Sequence, residues 1–276
     1  RIVRTGATYT NLYDAIQAAQ SGDTIDVWAG HTISAGPFNA NKNLTIRGVA
    51  SSATNAEAVS TSRPVIQWSS NGWWEINGGN VTIEGLHIKG NSNQVNLLFN
   101  TGTGTLTLGN VVVSDSKNTG YAAIGVSRGG KLILTGKYHA RNGAEKTGTT
   151  EIYNCDAAGA DLYGYGTAVS VTNGATFTME NNVTIRDCGT TGGNWSRVPV
   201  FIYDSTFTMN GGQISNCKGV HGGAISVNGN STFTMNGGTI SGNTSQYDGA
   251  AVFNGGTTTI NGGTIYNNEA ARSSGA

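Results

Sequence analysis

Asp115, Asp156 and Asp187 each follow a short apolar run, with Arg186 beside one of them and Lys218 and His221 further on. Carboxylates gathered on one face could hold Ca2+, and a neighbouring arginine or lysine could act as the base of a β-elimination on an acidic sugar. Two carboxylates facing each other could instead hydrolyse a glycosidic bond. If the chain is an enzyme, its catalytic set is Asp156, Asp187, Arg186, Lys218 and His221, and Ca2+ enters only under the elimination chemistry; otherwise no cofactor and no metal is expected. Spacing argues for a plainer role. Asp115 and Asp187 share their place with Asn154, Asn216 and Asn267, and turns favour Asp and Asn because the side chain hydrogen-bonds its own backbone. The chain also contains no Asp-Asp pair.

The elements that position these residues belong to a repeat. Ala175-Thr-Phe-Thr-Met179 returns as Ser205-Thr-Phe-Thr-Met209, Ser231-Thr-Phe-Thr-Met235 and Gly256-Thr-Thr-Thr-Ile260. A second phrase follows each one: Ile185-Arg-Asp-Cys188, Ile214-Ser-Asn-Cys217, Ile240-Ser-Gly-Asn243 and Ile265-Tyr-Asn-Asn268. A third apolar run precedes the next turn. A period of about 25–30 residues with three short strands describes one coil of a parallel β-helix rather than a sandwich built from hairpins. The pattern extends back through Asn80–Gly90, Gly104–Leu108 and Lys131–Leu134. Residues 49–62 and 135–150 interrupt it and are expected to be loops.

Equal places in successive coils become neighbours in space, about 4.8 Å apart. The ends of the second phrase therefore predict an internal ladder of Asn91, Cys155, Cys188, Cys217, Asn243 and Asn268, buried at equivalent corners. The cysteines have no Cys-X-X-Cys spacing, which excludes zinc and thioredoxin-type readings. A buried thiol stack is expected, with a disulfide inside it or to another chain as the alternative. Tyr121, Tyr163, Tyr165, Trp195, His221 and Tyr247 each fall in the loop before a third strand, which predicts an aromatic edge for glycan stacking, for a protein interface or for plain packing. Thr-X-Thr recurs at 105/107, 176/178, 206/208, 232/234 and 257/259, broken by Lys131 and Ile133. Two outward threonine columns follow if Leu106, Phe177, Phe207 and Phe233 point inward.

At the other end, Leu12, Ile16 and Ala19 share one helical face over residues 11–20, behind an expected N-cap at Thr10, and Ser21-Gly22-Asp23 stops the run. Tyr9 to Gly48, with Asp-Ala-Ile-Gln-Ala-Ala-Gln-Ser-Gly-Asp-Thr-Ile and Asn-Leu-Thr-Ile-Arg-Gly, resembles the opening of right-handed parallel β-helix proteins of the pectin-lyase-like superfamily. Phe233-Thr-Met-Asn-Gly-Gly-Thr-Ile-Ser-Gly-Asn243 resembles repeats of large bacterial and archaeal surface proteins with that fold. The resemblance implies an all-β, single right-handed parallel β-helix with a short N-terminal capping helix. It leaves activity open, because that superfamily spans lyases, hydrolases, adhesins, tailspikes and envelope proteins. The polygalacturonase-type set of Asn-X-Asp, Asp-Asp, Gly-His-Gly and Arg-X-Lys is missing. The threonine columns resemble the ice-contacting face of β-helical antifreeze proteins.

Composition narrows the classes. The chain carries 16 basic and 16 acidic residues with only 12% charged, 42 Gly and 3 Pro, so no long-range field draws in nucleic acid or an anionic membrane. No apolar run reaches the length of a transmembrane helix. The Thr- and Asn-rich surface, with Asn-X-Ser/Thr matches at Asn182, Asn194, Asn230 and Asn243, suits an extracellular or cell-surface setting with any signal peptide removed. One domain over 1–276 is expected: cap and first coil over 1–48, central coils over 49–254, and last coil and tail over 255–276. The leading functional expectation is a non-catalytic, self-assembling surface protein (layer, sheath, filament or adhesin subunit), with unmet strand edges in the last coil driving association. The alternatives are a polysaccharide lyase or glycoside hydrolase using the aromatic edge and, third, an ice-binding protein.

Overall fold

The computed structural model describes residues 1–28, 32–35, 38–49, 63–68, 74–91, 97–118, 121–157, 166–190 and 197–271. Each coil gives one strand to each of three parallel sheets, so that among the described residues two sheets have nine strands and the third has eight. The first sheet runs from Asp23–Trp28 and Leu44–Val49 through Thr105–Gly109 and Lys131–Thr135 to Thr176–Met179, Thr206–Met209, Thr232–Met235 and Thr257–Ile260. The chain is a parallel β-helix.

Register explains the core. Because strands stack without offset, Ile25, Ile46, Ile83, Leu108, Leu134, Met179, Met209 and Met235 form one inward column, and Leu106, Leu132, Phe177, Phe207 and Phe233 form the next. All are buried. The second sheet contributes Ile66, Ile88, Val113, Ile152, Ile185, Ile214 and Ile240, again in one buried column. Branched and aromatic side chains suit a pleated surface buried on its inner face, and each rung removes the apolar edge of the one before it from water.

Corners are made by residues that tolerate left-handed backbone. Asp115, Asn154, Asp187, Asn216 and Asn267 have φ between 51° and 57° at one corner, a region where short amide and carboxylate side chains are the least costly non-glycine choice. After this corner come short strands that the phrase pattern does not anticipate, including Lys117–Asn118, Asp156–Ala157, Lys218–Gly219, Thr244–Ser245 and Glu269–Ala270.

Two expectations need correction. The helix is Leu12–Ala18, and its N-cap is Asn11 rather than Thr10, with the Asn11 side chain accepting from the Asp14 N–H at 2.8 Å. Lys42 Nζ donates to the carbonyls of Ile16 and Ala19 at 3.0 and 2.6 Å, and so ends the helix with a cation where its dipole favours one. The interruption at 135–150 is an antiparallel hairpin, Lys137–His139 with Glu145–Thr147, folded over the outer edge of the first sheet. It buries Asp26, Arg47 and Glu84. Arg47 and Arg141 meet Asp26 at 2.8 and 3.0 Å, Arg47 Nη1 donates to the Ala140 carbonyl at 3.1 Å, and His139 meets Glu84 at 2.8 Å. Gly109 permits this approach, because a Cβ there would lie 2.0 Å from the Lys137 carbonyl oxygen. The interruption at 49–62 lies, apart from its first residue, outside the described residues.

Candidate functional site

Four of the five residues that would make an enzyme, Asp156, Arg186, Asp187 and Lys218, sit at or beside one corner of successive coils. Arg186 donates to Asp187 at 2.7 Å and to Glu151 at 3.2 Å, and lies over the Tyr153 ring at 4.4 Å. The Asp187 hydrogen bond, with Glu151 adding to it, raises the Arg186 pKa above the ordinary arginine value, the wrong direction for a base. Asp187 occupies the left-handed corner. Asp156 and Lys218 share one column of the short strands, two rungs apart through Gly189, and Lys218 is exposed. His221 lies in a different part of the coil, in the loop before a third-sheet strand. Among the described residues no group of three His, Cys, Asp or Glu side chains is placed to hold a metal ion.

The corner column reads Asn91, Ser116, Cys155, Cys188, Cys217, Asn243, Asn268. Its backbone is continuous: the N–H after each member reaches the carbonyl of the previous one, as in Asp156 to Ser116, Gly189 to Cys155, Lys218 to Cys188 and Thr244 to Cys217, at 2.7–2.9 Å. Ser116 was not foreseen, since its coil reads Val113-Ser-Asp-Ser116, without the leading Ile and the closing Cys or Asn of the phrase. Cys155, Cys188, Cys217 and Asn243 are buried; Asn91 and Asn268 are half-buried, a departure from the expected burial. The cysteines are free thiols, so no disulfide forms inside the stack. A hydrogen bond to Cys188, then burial, raises the Cys155 pKa, and burial raises that of Cys188, so both stay as unreactive thiols. Asn243 takes over the pattern, accepting from Cys217 N–H at 3.0 Å and donating to the Ile214 carbonyl at 3.1 Å and to Asn268 Oδ1 at 2.9 Å. This engagement also closes Asn243 to glycosylation; Asn182 and Asn230 are exposed, and Asn194 lies outside the described residues.

The aromatic edge is described in part. His221 stacks on Tyr247 at 5.1 Å, meets Phe253 edge-on at 5.4 Å, and has Asp248 Oδ2 at 3.4 Å. Tyr121 stands exposed before the Ile124–Val126 strand. Tyr163, Tyr165 and Trp195 lie outside the described residues.

Tyr121 belongs to a larger feature that sequence reasoning missed. The outward column of the third sheet reads Glu75, Phe99, Gly125, Ser170, Phe201, Ser226, Phe253. Two small residues between two phenylalanines leave a trough of about 460 Å3, within the usual range for small-ligand sites. Phe99 closes it on one side, Phe201 and Tyr203 on the other, with Tyr121 at the rim and Ser127, Ser170, Thr172 and Asn173 along the floor and far edge. Asn173 Nδ2 bonds the Ser127 hydroxyl at 3.2 Å. Among the described residues the lining contains no carboxylate, imidazole, amine or guanidinium. The signal was present as Phe-Gly-Ser-Phe at corresponding third-strand positions, but loops of unequal length separate those strands and hide the register.

On the first sheet, the outward column is Thr24, Thr45, Thr82, Thr107, Ile133, Thr178, Thr208, Thr234 and Thr259. It runs further toward the N-terminal end than the Thr-X-Thr phrases indicate. No family model, no curated protein and no solved structure matches the chain. No helix of the described residues is long and apolar enough to cross a membrane.

Proposed function

We propose that this chain is a non-catalytic extracellular surface protein of the adhesin kind, a solenoid that holds a polymer against its third sheet. The observation that carries this reading is the trough, in which aromatic walls and hydroxyl groups line a cavity to which the described residues bring no carboxylate, imidazole, amine or guanidinium. Stacking surfaces and hydrogen-bonding groups retain a ligand, whereas cleavage of a glycosidic bond needs a positioned proton donor or base. The resemblance of Tyr9–Gly48 to pectin-lyase-like β-helices supports an origin in that superfamily, with the binding role kept and the chemistry absent. Self-association is a companion proposal, read by light scattering. The main test is incubation with insoluble cell-wall polysaccharides in the presence of excess Ca2+. The expected result is co-sedimentation without unsaturated products or new reducing ends. Turnover lost in Asp187→Ala or Lys218→Ala would overturn the reading in favour of a lyase.

A second reading, contact with ice, is favoured by the threonine column, in which eight of nine stacked positions of a continuous sheet are threonine. Thermal hysteresis that is lost in Thr208→Tyr would support it, and ordinary freezing behaviour would remove it.

A further inference from the structure

Resting on the adhesin reading, we infer that the trough takes an uncharged glycan, its chain lying across the solenoid parallel to the strands of the third sheet. The direction follows from the walls. Phe99 and Phe201 stand three rungs apart in one outward column, about 14 Å at the usual strand spacing, so they bound a channel along the strand direction instead of blocking one. The floor between them is Gly125 and Ser170, extended by Ser127 and Thr172 in the next outward column. Their small side chains set the depth.

The class follows from the chemistry of the lining. Sugar rings offer apolar C–H faces and a rim of hydroxyls, which match aromatic side walls and a floor of hydroxyl and amide groups. Tyr203 and Tyr121 are the exposed aromatic surfaces, 43% and 44% accessible, and so can meet a ligand without rearrangement of the core. Asn173 holds the Ser127 hydroxyl and orders the far edge. A uronate or sulfated sugar would lose hydration of its anion here and find no cation among the described residues of the lining to replace it. The same surface therefore selects against charged polymers while admitting neutral ones.

The test is affinity electrophoresis of the whole chain in gels containing soluble mixed-linkage glucan, galactomannan or arabinoxylan, against gels containing polygalacturonate or alginate. At least one neutral polymer is expected to retard the protein. Tyr203→Ala should weaken the effect about tenfold, the size of one lost stacking contact, and Thr172→Arg, which fills the floor and charges it, should abolish it. Both positions lie outside the core, and Thr208→Tyr on the first sheet serves as a control that should bind as the parent does. Retardation by the neutral polymers that both trough variants leave unchanged would overturn this inference and leave the adhesin reading standing, with its site elsewhere. Stronger retardation by polygalacturonate or alginate would do the same. Failure of every polymer to retard the parent protein would overturn both.

Discussion

One column on the outer edge of the first sheet is built in two ways along the solenoid. Near the N-terminal end it holds Asp26, Arg47 and Glu84, all buried beneath the hairpin of residues 137–147. In the later coils the corresponding places hold Glu180, Asn210, Asn236 and Asn261, where each asparagine amide donates to the residue one rung back at 2.9–3.0 Å. The charged segment has one internal pair, Arg47 with Asp26 at 2.8 Å, and is completed by residues far away in the chain: Arg141 reaches Asp26 across 115 positions, and His139 reaches Glu84 across 55. The asparagine segment is satisfied by its own repetition. A side chain with both a donor and an acceptor can serve a stack indefinitely, whereas a column of charges needs an outside partner before it can be taken from water.

Removing one member from each segment tests that contrast, and the largest effects are expected in buried places. Asp26→Ala leaves the buried Arg47 and the half-buried Arg141 without this shared anion and should cost about 3–5 kcal/mol in urea unfolding. A loss below about 1 kcal/mol would mean that the hairpin does not seal the corner. In the repetitive half, Phe207 stacks between Phe177 and Phe233 at 4.4 and 5.0 Å. Phe207→Ala should also cost about 3–5 kcal/mol, because the rungs above and below cannot close the gap.

Smaller effects separate the two asparagine ladders. Asn243→Leu unpairs buried backbone groups of Cys217 and Ile214 and should cost about 1–3 kcal/mol; Asn236→Ala, on the exposed ladder, should change stability by no more than about 0.5 kcal/mol. Equal costs would erase the distinction between inner and outer stacks.

The mildest test is a slope with pH. Burial lowers the His87 pKa below its ordinary value. The Ser114 hydroxyl donates to Asp115 at 2.9 Å and so accepts from neutral His87 at 2.8 Å. Since the folded state holds this proton less tightly than the unfolded chain, stability is full above the unfolded value of about 6.5 and falls as pH drops through it toward the folded one. His87→Gln should flatten that part of the profile, and an unchanged slope would assign it to other groups.

How much could be read in advance depended on distance along the chain. The thiol and asparagine stack and the phenylalanine column were visible as like residues at like offsets. Ser116 was not, because its coil lacks the phrase that marks the register. The hairpin was read as a loop, since three alternating residues facing three others give too weak a pattern to distinguish from an interruption. The trough was missed because it consists of small residues, and Gly125 and Ser170 acquire meaning only when Phe99 and Phe201 are known to flank them.

The repeat by itself determined the parallel β-helix: in a solenoid each residue's spatial neighbour is its own counterpart one period away, so sequence periodicity is already a contact map. Where the period is broken, that correspondence ends. Tertiary structure alone decided that residues 137–147 turn back over Asp26, Arg47 and Glu84. It alone decided that two small side chains on the third sheet form the floor of a cavity, because partners separated by loops of unequal length share a place in space without sharing a spacing in the chain.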